Sequence, residues 1–136
     1  MANYFKSLLR RTTTALKITE PMKMSLVVRT DLKMSPGKTG AQCAHAAIMC
    51  YADTLKKYPE LAEAWINSGQ SKVVLRVGSE IDLKNLSKLA YEKKLVNGMV
   101  RDAGRTEVPA GTITVLGIGP DTVAKIDEVT KKLKTY

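Results

Sequence analysis

The stretch Asp102-Ala103-Gly104-Arg105-Thr106 places a carboxylate, a permissive glycine, a guanidinium and a hydroxyl in five consecutive positions. It opens a polar run that ends at Gly111 and lies between two apolar segments. Such a run reads as a loop held by a sheet, and loops of that kind are where binding and catalysis concentrate. The same residues would also suit an ordinary turn closed by an Asp–Arg pair. A second group lies earlier, between Lys33 and Lys38. Ser35 followed by Pro36 is the pattern of an N-cap with proline at the first helical position. The backbone N–H groups and dipole of such a helix start attract phosphate or carboxylate. Lys38, in the first turn, works against that dipole unless an anion binds beside it; it reads either as an anion ligand or as a solvated surface lysine. Gln42 is one turn from both Lys38 and His45, so the three residues share a side of the helix near its start. His45, four residues after Ala41 and three before Ile48, reads either as a packed core residue or as a donor facing a groove. Gly37-Lys38-Thr39 is similar to the end of a phosphate-binding P-loop, but Leu32 stands where that motif needs its first glycine, which argues against ATP.

These groups need elements to hold them. Met24–Thr30 is β-branched and apolar and reads as a buried strand. The helix after Ser35 carries Ala41, Ala44, Ile48, Tyr51 and Leu55 at spacings of three and four, and these are the expected inner face. Tyr58-Pro59 ends it, and a shorter helix follows through Leu61, Trp65 and Ile66 to Gly69. Lys72–Val77 is the second strand. Asp82 is the expected cap of a third helix that uses Leu83, Leu86, Leu89 and Ala90. Gly98–Arg101 is a short third strand and Thr112–Ile118 the fourth, closed by Gly119-Pro120. Asp121 is the expected cap of a last helix whose inner face is Val123, Ile126, Val129, Thr130 and Leu133. The order β-α-α-β-α-β-β-α predicts an α/β sheet with helices on both faces. The third-to-fourth connection is short enough to be antiparallel, so the sheet is expected to be mixed and four-stranded. The end of the first strand and the start of the polar loop can then converge, with Lys38 facing Asp102.

Composition removes whole classes of function. At 136 residues and 14.9 kDa, the chain is one ordinary domain with enough bulk for a real core. The 44% apolar and 26% charged residues are globular usage, not that of a disordered chain. Cys43 and Cys50 are seven residues apart in one helix, about 10 Å by the helical rise, which is too far to bridge. A disulfide scaffold is excluded on that reading, and a reducing compartment fits. His45 is the single histidine, so a His-rich metal site and a pair of histidine bases are excluded. No apolar run approaches the ~20 residues of a membrane span. The net charge of +9 points to a polyanionic partner, with nucleic acid or an anionic membrane surface the first candidates.

Residues 1–21 stand apart. Lys6, Arg10, Arg11 and Lys17 are offset only by Glu20, among Ser7 and Thr12–Thr14. A basic, hydroxyl-rich, acid-poor segment has the composition of an organelle transit peptide, and it reads as that or as an N-terminal extension. The rest holds 18 basic and 12 acidic side chains, so the body is basic on its own account. The expected organisation is a leader over 1–21 and one domain over 22–136.

Four ordered blocks then carry a resemblance: Leu26–Met34, Gly37–Ala47, Asp102–Thr106 and Thr114–Pro120. Together with the final Leu133-Lys-Thr-Tyr136, they resemble peptidyl-tRNA hydrolase of the second, archaeal and eukaryotic, type over residues 23 to 136. The resemblance implies hydrolysis of the ester joining a peptide to the 3′ end of tRNA, on a single α/β domain, often dimeric, with no metal or organic cofactor. It implies that Lys38, Asp102, Thr106 and Thr114 belong to the active site and that His45 and Arg105 match further motif positions. One departure is visible. The family reads Gly-Lys-Gly-Lys where this chain has Ser35-Pro36-Gly37-Lys38, which removes one loop lysine and stiffens the loop.

A Ser-His-Asp triad does not fit a single histidine on an apolar face without a nucleophile elbow, so direct attack by water is expected. Asp102 orients or deprotonates that water, and orientation is favoured because a nearby Lys38 keeps a carboxylate a weak base. Lys38 stabilises the oxyanion or a phosphate, and Thr106 and Thr114 donate hydrogen bonds that fix the water or the ester. Lys33, Gln42, His45 and Arg105 are expected to contact substrate or tRNA, with Arg29, Lys56, Lys57, Lys93 and Lys94 along the RNA backbone. One Phe and one Trp leave no aromatic platform for bases, so recognition is by shape and charge. Two rivals share the residues: a non-catalytic RNA-binding or adaptor domain, and a small-molecule enzyme using the Gly117–Gly119 turn for a phosphate. Only the hydrolase needs Lys38, Asp102 and Thr106 together. Cytoplasm is the expected compartment, or the mitochondrion if residues 1–21 are a transit peptide.

Overall fold

The computed structural model describes residues 18–136, so the leader expected over 1–21 lies, up to Lys17, outside the described residues. Within them, five strands form one mixed sheet: β1 (Met22–Arg29), β2 (Lys72–Val77), β3 (Asn97–Arg101), β4 (Ile113–Thr122) and β5 (Lys134–Thr135), in the order β3-β4-β1-β2-β5. Only β1 and β2 are parallel; every other pair is antiparallel. The helices are α1 (Pro36–Lys57), α2 (Pro59–Asn67), α3 (Glu80–Glu92) and α4 (Val123–Thr130). Side-chain alternation along β1 explains the layering. Met22, Met24, Leu26 and Val28 join Cys43, Ala46, Cys50 and Trp65 of α1 and α2 in one apolar cluster. Val27 turns the other way, into a second cluster with Leu83 and Ala90 of α3 and Ile126 and Val129 of α4.

The sheet therefore has one strand more than expected. Leu133 packs against the second cluster, and the chain beyond it lays Lys134 and Thr135 along the open edge of β2. Two exposed residues are too short a run to show alternation, so only tertiary pairing makes them a strand. The fourth strand also runs past its expected end. Gly119-Pro120, a cis peptide, does not stop it, because β4 continues against β1 to the pair Met22–Thr122. Two expected caps move as well. Ser79 Oγ accepts from Asp82 N–H, so Ser79 caps α3; Thr122 Oγ1 accepts from Lys125 N–H, so Thr122 caps α4. Ser35 caps α1 as expected, accepting from Lys38 N–H with Pro36 behind it.

The largest correction concerns the inner face of α1. Ala41, Ala44 and Ile48 face outward, and Ile48 is 69% exposed; the buried stripe is Thr39, Gln42, Cys43, Ala46, Cys50 and Thr54. Size decides this rather than hydropathy. A β-carbon on Gly117 of β4 would fall 2.5 Å from Cys50 Sγ, so the helix lies almost on the strand and only small or slender side chains fit between them. Both cysteines are free and buried; desolvation raises the Cys43 thiol and pushes that of Cys50 up to about 12. Among the described residues, no helix is long and apolar enough to cross a membrane.

Candidate active site

The first turn of α1 and the loop that follows β3 meet at the end of the sheet, and Lys38 joins them. Its Nζ donates to Asp102 Oδ1 at 2.6 Å and to Thr106 Oγ1 at 2.5 Å. Asp102 itself is fixed on every side. Its N–H donates to Thr112 O (2.8 Å) and its carbonyl accepts from Gly111 N–H (2.7 Å). Its Oδ2 accepts from Gly104 N–H at 2.8 Å, and its Oδ1 accepts also from Gln42 Nε2 at 3.2 Å. Gly104 adopts φ +77°, and a β-carbon there would meet Ala110 N at 2.6 Å, so the turn that delivers this N–H requires glycine.

Behind Asp102, the wholly buried Thr114 donates from Oγ1 to Gln42 Oε1 at 2.5 Å. Strict alternation would send Thr114 to the same face as Leu116, toward α3 and α4. The register of β3 and β4 shifts there, from Val100–Val115 to Arg101–Ile113, and this bulge brings Thr114 round to α1. Glu107 ties the two segments together a second time. Its Oε1 accepts from Ser35 N–H and its Oε2 from Ser35 Oγ, each at 2.7 Å.

The hydrogen bond from the Lys38 ammonium holds the Asp102 carboxyl below the ordinary carboxylate range; burial opposes the shift, and the Gly104 N–H adds to it. Ser35 does the same for Glu107, through its hydroxyl first and its N–H second. Both carboxylates are therefore ionised near neutrality, and Asp102 is too weak a base to take a proton from water unaided. What remains open can be counted. Among the described residues, Lys38 spends two of the three N–H groups of its ammonium; Thr106 accepts from Lys38 and keeps its own proton; Asp102 Oδ2 keeps a lone pair. One cation donor, one hydroxyl donor and one carboxylate acceptor converge, which suits a polarised carbonyl beside an oriented water.

These groups line a cavity of about 730 Å³. The structure brings together Lys38, Asp102, Thr106, Gln42, His45 and Arg105 on its walls, with Arg101 and Glu107. Thr114 is not on the wall: its proton is committed to Gln42, so it cannot donate to a water or an ester as expected. Gln42 spends both ends of its amide on Asp102 and Thr114 and is buried, which makes it a brace rather than a free contact for RNA. His45 is exposed toward the cavity, not packed in the core. Lys33 lies outside the lining, exposed at φ +49°. Among the outlying cations, Arg29 is held by Asp31 and by Ile113 O, Lys57 pairs with Asp53 and Lys93 with Glu128, while Lys56 and Lys94 are exposed. Glu107 was not anticipated, although it is the second carboxylate of the loop, and Ser35 was read only as a cap. Among the described residues, no group of three or more His, Cys, Asp or Glu side chains is placed to hold a metal. A second cavity, of about 560 Å³, opens at the ends of β1 and β2 beside Thr30, Arg76, Asp82, Lys132 and Lys134; no ion pair links those residues.

Comparison with known proteins gives consistent matches. The family model described as peptidyl-tRNA hydrolase PTH2 matches residues 22–136. The chain is 48% identical over 114 residues to the Mus musculus protein named peptidyl-tRNA hydrolase 2, mitochondrial, a match covering 84% of this chain and 63% of the mouse protein. It is 46% identical over 112 residues to the peptidyl-tRNA hydrolase of Staphylothermus marinus, covering 82% of this chain and 93% of that protein. The chain thus spans less than two thirds of the mouse relative's length and nearly all of the archaeal one.

Proposed function

From the premise that this chain belongs to the PTH2 family of peptidyl-tRNA hydrolases, we propose that it hydrolyses the ester between the peptide and the tRNA of peptidyl-tRNA, recycling tRNA from aborted translation. The observation that carries the reading is the convergence of Lys38, Asp102 and Thr106 on one cavity. A water donates to Asp102 Oδ2 and turns its lone pair to the ester carbonyl carbon. As the C–O bond forms, the carbonyl oxygen becomes an oxyanion, which the third N–H of Lys38 and the hydroxyl of Thr106 stabilise. The acyl–oxygen bond then breaks, and the ribose oxygen leaves with a proton that came from the attacking water. Asp102 orients; it does not act as a strong base. Gln42 and Thr114 keep its carboxylate in register and act as positioning residues.

Arg105 and His45 lie along the cavity for the substrate, with Lys33 and the other exposed cations for tRNA phosphates. We further read residues 22–136 as the catalytic domain and 1–21 as a leader; that leader's composition directs a mitochondrial location if it acts as a transit peptide, and without it the enzyme is cytoplasmic. A homodimer follows from the family resemblance and is part of the same proposal. The deciding experiment is release of tRNA from an N-acetylaminoacyl-tRNA at low salt by the wild type, Asp102→Asn and Lys38→Ala. Turnover by the wild type, lost in both folded variants, is expected. A silent wild type that binds tRNA tightly and salt-sensitively would replace the hydrolase with an RNA-binding adaptor.

A further inference from the structure

The cavity has two unlike walls. The loop wall carries Arg101 and Arg105 beside Asp102 and Thr106, whereas the α1 wall continues from Lys38 through Ala41 and His45 to Ile48 and Met49. Ile48 and Met49 are 69% and 40% exposed, an uncommon cost for large apolar side chains, and the outward positions beside them, Ala41, Ala44, His45 and Ala52, carry nothing that covers them. The arrangement is held in place from below: Met49 lies over β3 at Gly98, where a β-carbon would come 2.5 Å from Met49 Sδ. From Lys38 to Ile48 the helix rises about 15 Å, the length of about four residues of extended chain.

We propose that this outward face of α1 is the track for the peptide part of the substrate, with Ile48 and Met49 receiving apolar side chains from its last few residues. The inference rests on the hydrolase reading and adds a preference to it. Charge decides the direction. An ester held at Lys38 has an anionic ribose-phosphate on one side and an acyl chain on the other. The phosphate belongs on the side of Arg101 and Arg105, which leaves the acyl chain the apolar wall. The face is continuous with the cavity that holds Lys38 and Asp102, which favours substrate over a second copy of this chain as its occupant. The track contributes contact area without a closed pocket, so the preference it imposes is graded and all peptides remain substrates.

The test compares kcat/KM for one tRNA body esterified with an N-acetylated four-residue glycine peptide whose residue farthest from the ester is leucine, glycine or aspartate, with wild type, Ile48→Ser, Ile48→Asp and Met49→Ser. The wild type is expected to favour leucine over aspartate by about 10-fold, the scale on which an apolar subsite discriminates. Ile48→Asp should abolish that ratio while inhibition by uncharged tRNA stays the same. Because Ile48 is exposed, thermal melting should not move. Equal rates for the three esters, unchanged by the variants, would overturn the track and leave the hydrolase intact. Weakened inhibition by uncharged tRNA in Ile48→Asp would assign the face to RNA instead. Conversion of a dimer to a monomer by the same variant, with the leucine preference retained, would make it a self-interface. No hydrolysis of any ester by the wild type would remove the hydrolase reading and the track with it.

Discussion

Two lysine–aspartate pairs in this molecule close at the same 2.6 Å, Lys38–Asp102 and Lys23–Asp127. Their surroundings differ. Lys23 and Asp127, with side chains 19% and 38% exposed, fasten β1 to α4, and among the described residues no further hydrogen bond reaches either terminal group. Lys38 and Asp102 are 10% and 3% exposed, and the pair also touches Thr106, Gln42 and Gly104 before opening on a cavity. Distance alone therefore says little about what an ion pair does. A half-exposed pair is screened and contributes modestly to stability. A desolvated pair inside a network that still keeps a free N–H and a free lone pair is arranged for a ligand.

The contrast can be broken most forcefully at the chemistry. Asp102→Asn or Lys38→Ala should lower single-turnover hydrolysis by about 10²–10⁴-fold, whereas Lys23→Met should leave it within about two-fold. Comparable losses in both pairs would mean that turnover follows folding, not the cavity. One step back from the reacting atoms, Thr114→Val removes the donor to Gln42 Oε1 and leaves that buried oxygen unpaired. A stability loss of about 1–3 kcal/mol in urea unfolding is expected. A fall in kcat of about 10-fold should accompany it as Asp102 loses its brace, with KM little changed.

Acid titration separates the pairs more finely. The folded carboxyl of Asp102 lies below its unfolded value, so its contribution to stability is complete above about pH 4 and is lost as pH falls through the lower folded value. Lys38→Met removes the first cause of the depression and leaves burial opposed only by the backbone N–H groups of Gly104 and Ala103. Melting temperature in that variant should then begin to fall at higher pH than in wild type, and coincident curves between pH 2 and 6 would contradict the assigned cause. The smallest effect belongs to the outer pair. Asp127→Asn should cost up to about 1 kcal/mol, less in high salt, with no change in turnover.

Much of the scaffold is legible because it follows local rules. The β-branched run in β1, the Ser35-Pro36 start of α1 and the Tyr58-Pro59 break all stand where pattern and capping put them. The meeting of Lys38 with Asp102 is legible too, since a strand-to-helix turn and a polar loop at one end of a sheet converge. The inner face of α1 is not. Its apolar periodicity points to Ile48, but the close approach over Gly117 selects Ala46 and Cys50, and Ala41 and Ile48 of the misplaced stripe line the cavity instead. Glu107 and Thr114 are illegible for a related reason. One acts across 72 residues on Ser35, and the other is aimed by a bulge that no local signal announces.

By itself, the sequence determined the chemistry at hand: one lysine, one aspartate and one threonine in two short segments, a basic body, and an order of elements that brings those segments to one end of a sheet. These are properties of residue type and short-range pattern, which the chain carries whether or not it is folded. The tertiary structure decided which groups are free and which are spent. Burial, register and packing are collective, and they turned Gln42 and Thr114 inward as braces, set His45 and Ile48 outward on the cavity, and kept the Asp102 carboxylate ionised by enclosing it with Lys38.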